Sequence, residues 1–248
     1  MKWKNLSLLI LSFLTVFLFW EIAVSLLEIN QTLFPSLIKV ISSFKDSNEL
    51  FSDIIISLFR LLVGVSFGII VGIIFGLITG RIAIINETAG QIVNFLRFIP
   101  PLALVPLFLL WFGIGELAKI LLISWTTFFP VWISVYSGIK NIEKNYLFAA
   151  KSLGVKKLYF IKHILLHGSI EHILNGARIG IGIAFSVLIA AEMIGAYTGV
   201  GHRIFFLQSV YRADRMLSYI LVLGVLGLLI DGIFIYLTKR FTFWKNET

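Results

Sequence analysis

The chain has 248 residues, of which 58% are hydrophobic and only 14% charged, and it carries a net charge of +8 with no cysteine. That balance excludes an ordinary soluble domain of this length, and the missing cysteines exclude disulfides and thiolate metal sites. The basic residues are dispersed between apolar runs and not gathered on one face, so they do not point to nucleic acid.

A hydrocarbon core about 30 Å thick takes roughly 20 apolar residues of helix. Six stretches approach that length, at residues 6–27, 55–79, 99–113, 118–136, 177–196 and 217–237, so the expected fold is all-α and integral to a membrane with about six transmembrane helices. Lys2 and Lys4 before the first run also fit a secretory signal. No small-x-small cleavage site follows, however, and Glu21 interrupts, so an uncleaved first span is preferred. Residues 28–53 read as an external loop with an amphipathic surface helix near 37–44. Span two carries Gly64, Gly68, Gly72, Gly76 and Gly80. Small residues at that interval let backbones approach closely in lipid, whether for fixed packing or as a gliding face.

Residues 85–96 hold Asn86, Glu87, Thr88, Gln91 and Asn94, too polar to span, and are expected at the cytoplasmic interface. The third stretch is short and contains Pro100, Pro101 and Pro106, so a re-entrant or five-span arrangement also fits. Broken backbone of this kind is tolerated beside a cavity and also in structural kinks. In span four Ser124, Thr127 and Ser134 lie on one stripe. That stripe faces a pore or partner helix, unless the hydroxyls bond back to their own helix. Span five is rich in small residues, including Gly180, Gly182, Ala184, Ser186 and Ala190. Pro100, Pro101, Pro106, Ser124, Thr127 and Ser186 are the candidate pathway residues.

With the N-terminus inside, twelve Lys or Arg fall on cytoplasmic segments and six outside, which places both termini in the cytoplasm. Ionisable residues within spans cost roughly 2.5–3.5 kcal/mol each at the centre, so their depths carry information. Arg60 and Glu192 lie near the outer ends of their spans, Arg97 and Asp231 near the inner side. Each pair, or one of them, is expected to form an interhelical ion pair, with Glu192 as a substrate or cation contact the rival reading. Glu21 reaches the outer interface. His163, His167 and His172 lie near Glu171, but no His-Glu-x-x-His order is present and no metal site is expected. There is also no Gly-x-Ser-x-Gly elbow and no phosphate loop, so the chain is not expected to be an enzyme or to hydrolyse ATP.

The last feature is a hairpin within residues 138–170. Phe148-Ala149-Ala150 is followed by three residues and Gly154, then by nine residues and Ile164-Leu165-Leu166. Paired alanines leave a flat helix surface, and a glycine takes the left-handed turn between two short helices. This spacing resembles the EAA loop of importer-type ABC transporter permeases. Phe148 stands in place of the family's Glu and His167 in place of its Pro. Ser57–Gly64, the segment from Arg97 to Pro106, Trp111 to Glu116, Ala191 to Ala196 and Gly199-Val200-Gly201 resemble the branch serving nitrate, sulfonate, taurine and thiamine-precursor import. The resemblance implies a type I importer permease in the cell (inner) membrane, a single transmembrane domain over residues 1–248.

It further implies a second permease copy and two ABC ATPase subunits, which bind ATP and Mg and dock on the hairpin through Phe148, Ala149, Ala150, Gly154, Ile164 and Leu166. An extracytoplasmic binding protein delivers the substrate. Lys156, Lys157 and Lys162 fit an acidic partner surface or phospholipid headgroups. A passive channel and a permease of another substrate branch, such as phosphonate or amino-acid import, are the alternatives.

Overall fold

The computed structural model describes residues 3–26, 30–46 and 49–242, and every regular element among them is helical. In chain order α1 is Trp3–Leu26, α2 Leu37–Ser43, α3 Leu50–Arg81, α4 Ala83–Ile85 and, after a π-helical turn at Asn86–Gly90, α5 Gln91–Leu96. A 3-10 turn at Pro101–Leu104 opens α6, Val105–Phe112, and α7 is Glu116–Lys140. Then come α8 Lys144–Ser152, α9 Lys157–Tyr159 with a π-helical continuation at Phe160–Leu166, α10 Ile170–Gly195, α11 Val200–Ser209 and α12 Ala213–Phe241.

The glycine ladder sets the architecture. A Cβ built on Gly64, Gly68, Gly72, Gly76 or Gly80 would lie 2.6 to 3.0 Å from Ile123, Thr127, Val131, Val135 or Ile139 respectively. All five partners on α7 are β-branched, hence stiff at χ1, and they recur every four residues as the glycines do. Each glycine costs the helix about 1 kcal/mol in propensity, and the close approach it permits offsets that cost. Ser124 Oγ stitches the ladder by donating 2.8 Å to the Gly64 carbonyl, and Trp132 Nε1 donates 2.9 Å to Thr79 Oγ1. α10 closes on α7 from another side, with Gly138 against His172, Gly176 against Ser134 and Gly180 against Thr127. That pairing descends one helix as it ascends the other, so α7 is the central helix, parallel to α3 and antiparallel to α10.

Parallel packing of α3 and α7 has a topological consequence, because the chain between them must return across the layer. The return is not the straight span expected at residues 99–113. The segments Ala83–Leu96 and Pro101–Phe112 are bent by 82° to each other. Pro100 and Pro101 bring no N–H, the residue before a proline avoids the helical region, and Pro100 is extended at φ −60, ψ 122. Four helices, α3, α7, α10 and α12, are individually long and apolar enough to cross a membrane, and the bent pair is a fifth crossing if counted as one. α1 has 24 residues, of which Leu14–Val24 is its described apolar stretch.

The remaining helices are peripheral. α2, the amphipathic surface helix of the sequence reading, is capped by Ser36, and its Leu37 N–H donates 2.8 Å to Glu21 of α1. This bond satisfies a carboxylate that would otherwise end a span unpaired. Among the described residues α12 buries only Ser218 and Tyr219; Met216, Tyr219 and Leu223 pack against Val200, Ile204 and Leu207 of α11, and Ile230 and Phe234 against the Leu61, Ile181 and Leu188 cluster.

Candidate functional site

The hairpin hangs from the ends of α7 and α10. Helix α8 closes in a Schellman turn, in which the Val155 N–H donates 3.1 Å to the Ala150 carbonyl and Gly154 takes φ +63. Open space surrounds a Cβ at Gly154, so backbone conformation alone demands glycine there. Ala150 is buried and Leu165 is 2% exposed. Leu165, with Leu147, Phe160 and Ile161, joins the cluster of Val131, Val135, Ile139 and Ala177. The hairpin thus shares one core with α7 and α10, and the Arg81 guanidinium, 4.9 Å over the Phe160 ring, ties it to the end of α3.

The other face is uncovered. Tyr146, Phe148, Leu153, Leu158 and Tyr159 are each more than half exposed, with Lys144, Lys156, Lys157 and Lys162 among them. Ala149 is exposed beside Phe148, while Ile164 and Leu166 are half-buried. Contiguous apolar surface of this kind on a polar hairpin marks an interaction site. Leu165 is the anchor that pattern reading passed over, being flanked by the two positions that define the motif. The histidines do not converge. His163 stacks on Tyr159 and His167, whereas His172 packs against Gly138.

At the opposite end of α3 and α7, Arg60 is 1% exposed and spends its whole guanidinium. Nε and Nη2 donate to the two carboxylate oxygens of Glu116 at 2.6 and 2.7 Å, while Nη1 donates to Glu192 at 2.7 Å and to the Thr198 carbonyl at 2.8 Å. Glu192, fully buried, also accepts from Ser57 Oγ at 2.7 Å and from the Gly201 N–H at 2.8 Å. The Gly199 and Val200 N–H groups donate to Asp53 and Ser57 at 2.9 Å each. The free N–H groups opening α11 are therefore capped by side chains of α3 and α10. Gly199, at φ +109, could not carry a Cβ without striking Glu192 Oε1 at 2.5 Å.

Lys119 Nζ, 3.7 Å from Glu116, completes a balanced set of two cations and two carboxylates. Nearby, Arg203 pairs with Asp53 and Glu49, and Arg212 with Asp214. Those carboxylates explain how cations concentrate at this end against the general charge bias.

The inner pair expected from the sequence is not formed. Asp231 pairs with Arg178, at 2.5 and 2.8 Å, and Arg97 instead lies 4.8 Å over the Phe98 ring. Arg178 and Asp231 sit at matching depth on neighbouring helices, whereas Arg97 is carried away by the bend. Nor do the pathway candidates line one cavity. Thr127 donates to its own helix at Ile123, Ser124 is spent on Gly64, and Pro100, Pro106 and Ser186 are exposed on the chain surface. Among the described residues, Pro101 shares a cavity with Arg97, and Ser124 lines a different one beside Phe108 and Phe128.

A family model described as binding-protein-dependent transport system inner membrane component matches residues 68–243. The chain belongs to that family. This importer permease is 30% identical over 231 residues to the provisionally named aliphatic sulfonates transport permease SsuC of Bacillus subtilis, covering 92% of this chain and 84% of that one. It is 37% identical over 156 residues to the taurine transport system permease TauC of Escherichia coli, covering 63% and 57%. An inward-facing structure of the MetNI methionine ABC transporter shares the fold, with TM-score 0.65 and 20% identity over 79% of this chain and 98% of that one. The permease is thus a multi-pass inner-membrane transport component, as its apolar helices require.

Proposed function

We propose that this permease carries a small organic anion of the sulfonate class, working as a homodimer with one ATPase docked on each 138–170 hairpin. The relatives named for sulfonate and taurine transport support the substrate class. One observation carries the coupling role: Leu165 of the hairpin is buried in the same core as Val131, Val135 and Ala177 of α7 and α10, with Leu147, Phe160 and Ile161 packed against it. A push on Phe148 or Leu153 is therefore delivered to two crossing helices together, since packed cores transmit displacement instead of absorbing it. The hairpin end, with both termini, lies in the cytoplasm, and the Arg60 end meets the binding protein outside.

ATP binding closes the ATPase pair and draws the hairpins together, and the α7–α10 pairs rock as levers between inward-open and outward-open states. Residues Phe148, Ala149, Ala150, Gly154, Ile164 and Leu166 form the docking set in this scheme. The chain has no cysteine, so Phe148→Cys creates a single thiol. A short thiol-to-amine crosslinker on membranes holding the whole importer should then join permease to ATPase. Crosslinks to lipid alone, with the importer assembled, would refute docking at this face.

A further inference from the structure

A groove of 380 Å³ opens between the bent segment, α7 and α10. Arg97 lines it and has no carboxylate partner among the described residues, whereas Arg60, Lys119 and Arg178 each have a carboxylate within 4 Å. Ser134, half-buried in the wall, makes no hydrogen bond among the described residues, although Thr126 and Thr127 on the same helix donate to their own backbone. Thr126 and Pro130 also line the groove, and Pro130 brings no N–H for the Thr126 carbonyl. The remaining wall is apolar, with Ile133, Ile179 and Ile183.

A cation, a free hydroxyl and an apolar wall in a space of this size match one ligand chemistry. An oxoanion crossing a hydrocarbon layer loses its hydration at high cost unless a cation and donors replace it. The planar fork of an arginine suits a compact oxoanion head, and the isoleucines suit a short alkyl chain. A bare inorganic anion would leave that wall unused. Resting on the sulfonate reading above, we infer that the Arg97 groove is a transit site for short-chain organic oxoanions. Arg97 and Ser134 take the charged head, and Ile133, Ile179 and Ile183 take the tail. The headgroup of an anionic phospholipid offers the same chemistry, so the test must separate the two sources.

The measurement is equilibrium binding of radiolabelled 1-butanesulfonate to the purified permease–ATPase complex in nanodiscs, alongside uptake by the complete importer. One set of nanodiscs contains only phosphatidylcholine and another adds phosphatidylglycerol. Saturable binding to wild type is expected in both, with Arg97→Gln weakening it about tenfold or more, Arg97→Lys less, and Ser134→Ala a few-fold. Ile183→Trp, which fills the groove and leaves the charge in place, should block binding and serves where Arg97→Gln fails to assemble. Binding unchanged in Arg97→Gln and Ile183→Trp overturns the site. Butanesulfonate that binds only without phosphatidylglycerol assigns the groove to a lipid headgroup and also overturns it. Uptake without binding refutes the site and leaves the sulfonate reading standing. Binding without uptake supports the site and refutes that reading, and absence of both refutes the two together.

Discussion

Arg60 Nη1 and Glu192 Oε1 lie 2.7 Å apart in a place where Arg60 is 1% and Glu192 0% exposed, and between them they join α3, α10 and the turn into α11. The loop preceding α11 is thereby fixed by electrostatics and not by apolar packing. Arg60 keeps Glu116 when Glu192 is neutralised, but the charge-assisted bonds that Glu192 accepts from Arg60, Ser57 and the Gly201 N–H are weakened together, so Glu192→Gln should destabilise the permease by about 1.5–3 kcal/mol. Glu116 is 54% exposed, and its loss leaves Arg60 still bound to Glu192. Glu116→Gln should therefore cost about 1 kcal/mol or less. Thermal unfolding in detergent should rank the two variants in that order.

The glycine ladder predicts a sharp contrast between sites. At Gly76 a Cβ would stand 2.6 Å from Val135, while around Gly182 and Gly224 there is open space. Gly76→Ala should destabilise the α3–α7 contact by about 1–3 kcal/mol, and Gly182→Ala should be neutral or slightly stabilising through helix propensity. Unfolding midpoints of the three proteins would check this, and equal midpoints would argue against a rigid ladder.

Gly154 poses a backbone test free of steric confusion, since φ is +63 and nothing crowds it. Alanine should cost the hairpin about 1 kcal/mol, valine more, and asparagine least, because Asn tolerates the left-handed region. ATPase co-purification should follow the order Gly, Asn, Ala, Val, with the thermal stability of the helical bundle almost unchanged.

Arg178 and Asp231 form a two-bond pair between α10 and α12, the least buried of the four long apolar helices. Neutralising either one leaves the other charge without its partner. Arg178→Gln or Asp231→Asn alone should loosen α12 and expose it to proteolysis in detergent, and the double variant should recover much of the protection. Equal protection in single and double variants would show that the pair does not hold α12.

Depth and period are local properties, and they were legible before any fold was known. Hydropathy marks the helices because lipid leaves backbone groups no partner except within the segment. The four-residue glycine step announces a close helix contact, and the Phe148-Ala149-Ala150 and Gly154 spacing announces a helical hairpin with one left-handed turn. Arg60 and Glu192 could be placed at one depth by counting residues, and they meet. Arg97 and Asp231 could be placed at one depth in the same way, yet they do not meet.

The sequence by itself determined that this protein is an all-helical membrane protein with a helical hairpin, because apolar period, turn chemistry and charge bias are written residue by residue, and the resemblance of its motifs pointed to a permease. Only the tertiary structure decided that α3 and α7 run parallel, that the proline segment turns by 82°, that Leu165 anchors the hairpin and that Asp231 takes Arg178 as its partner. Such choices depend on which way each helix face is turned and on what stands beside it. They are settled when the helices pack together, and a single helix in sequence does not carry them.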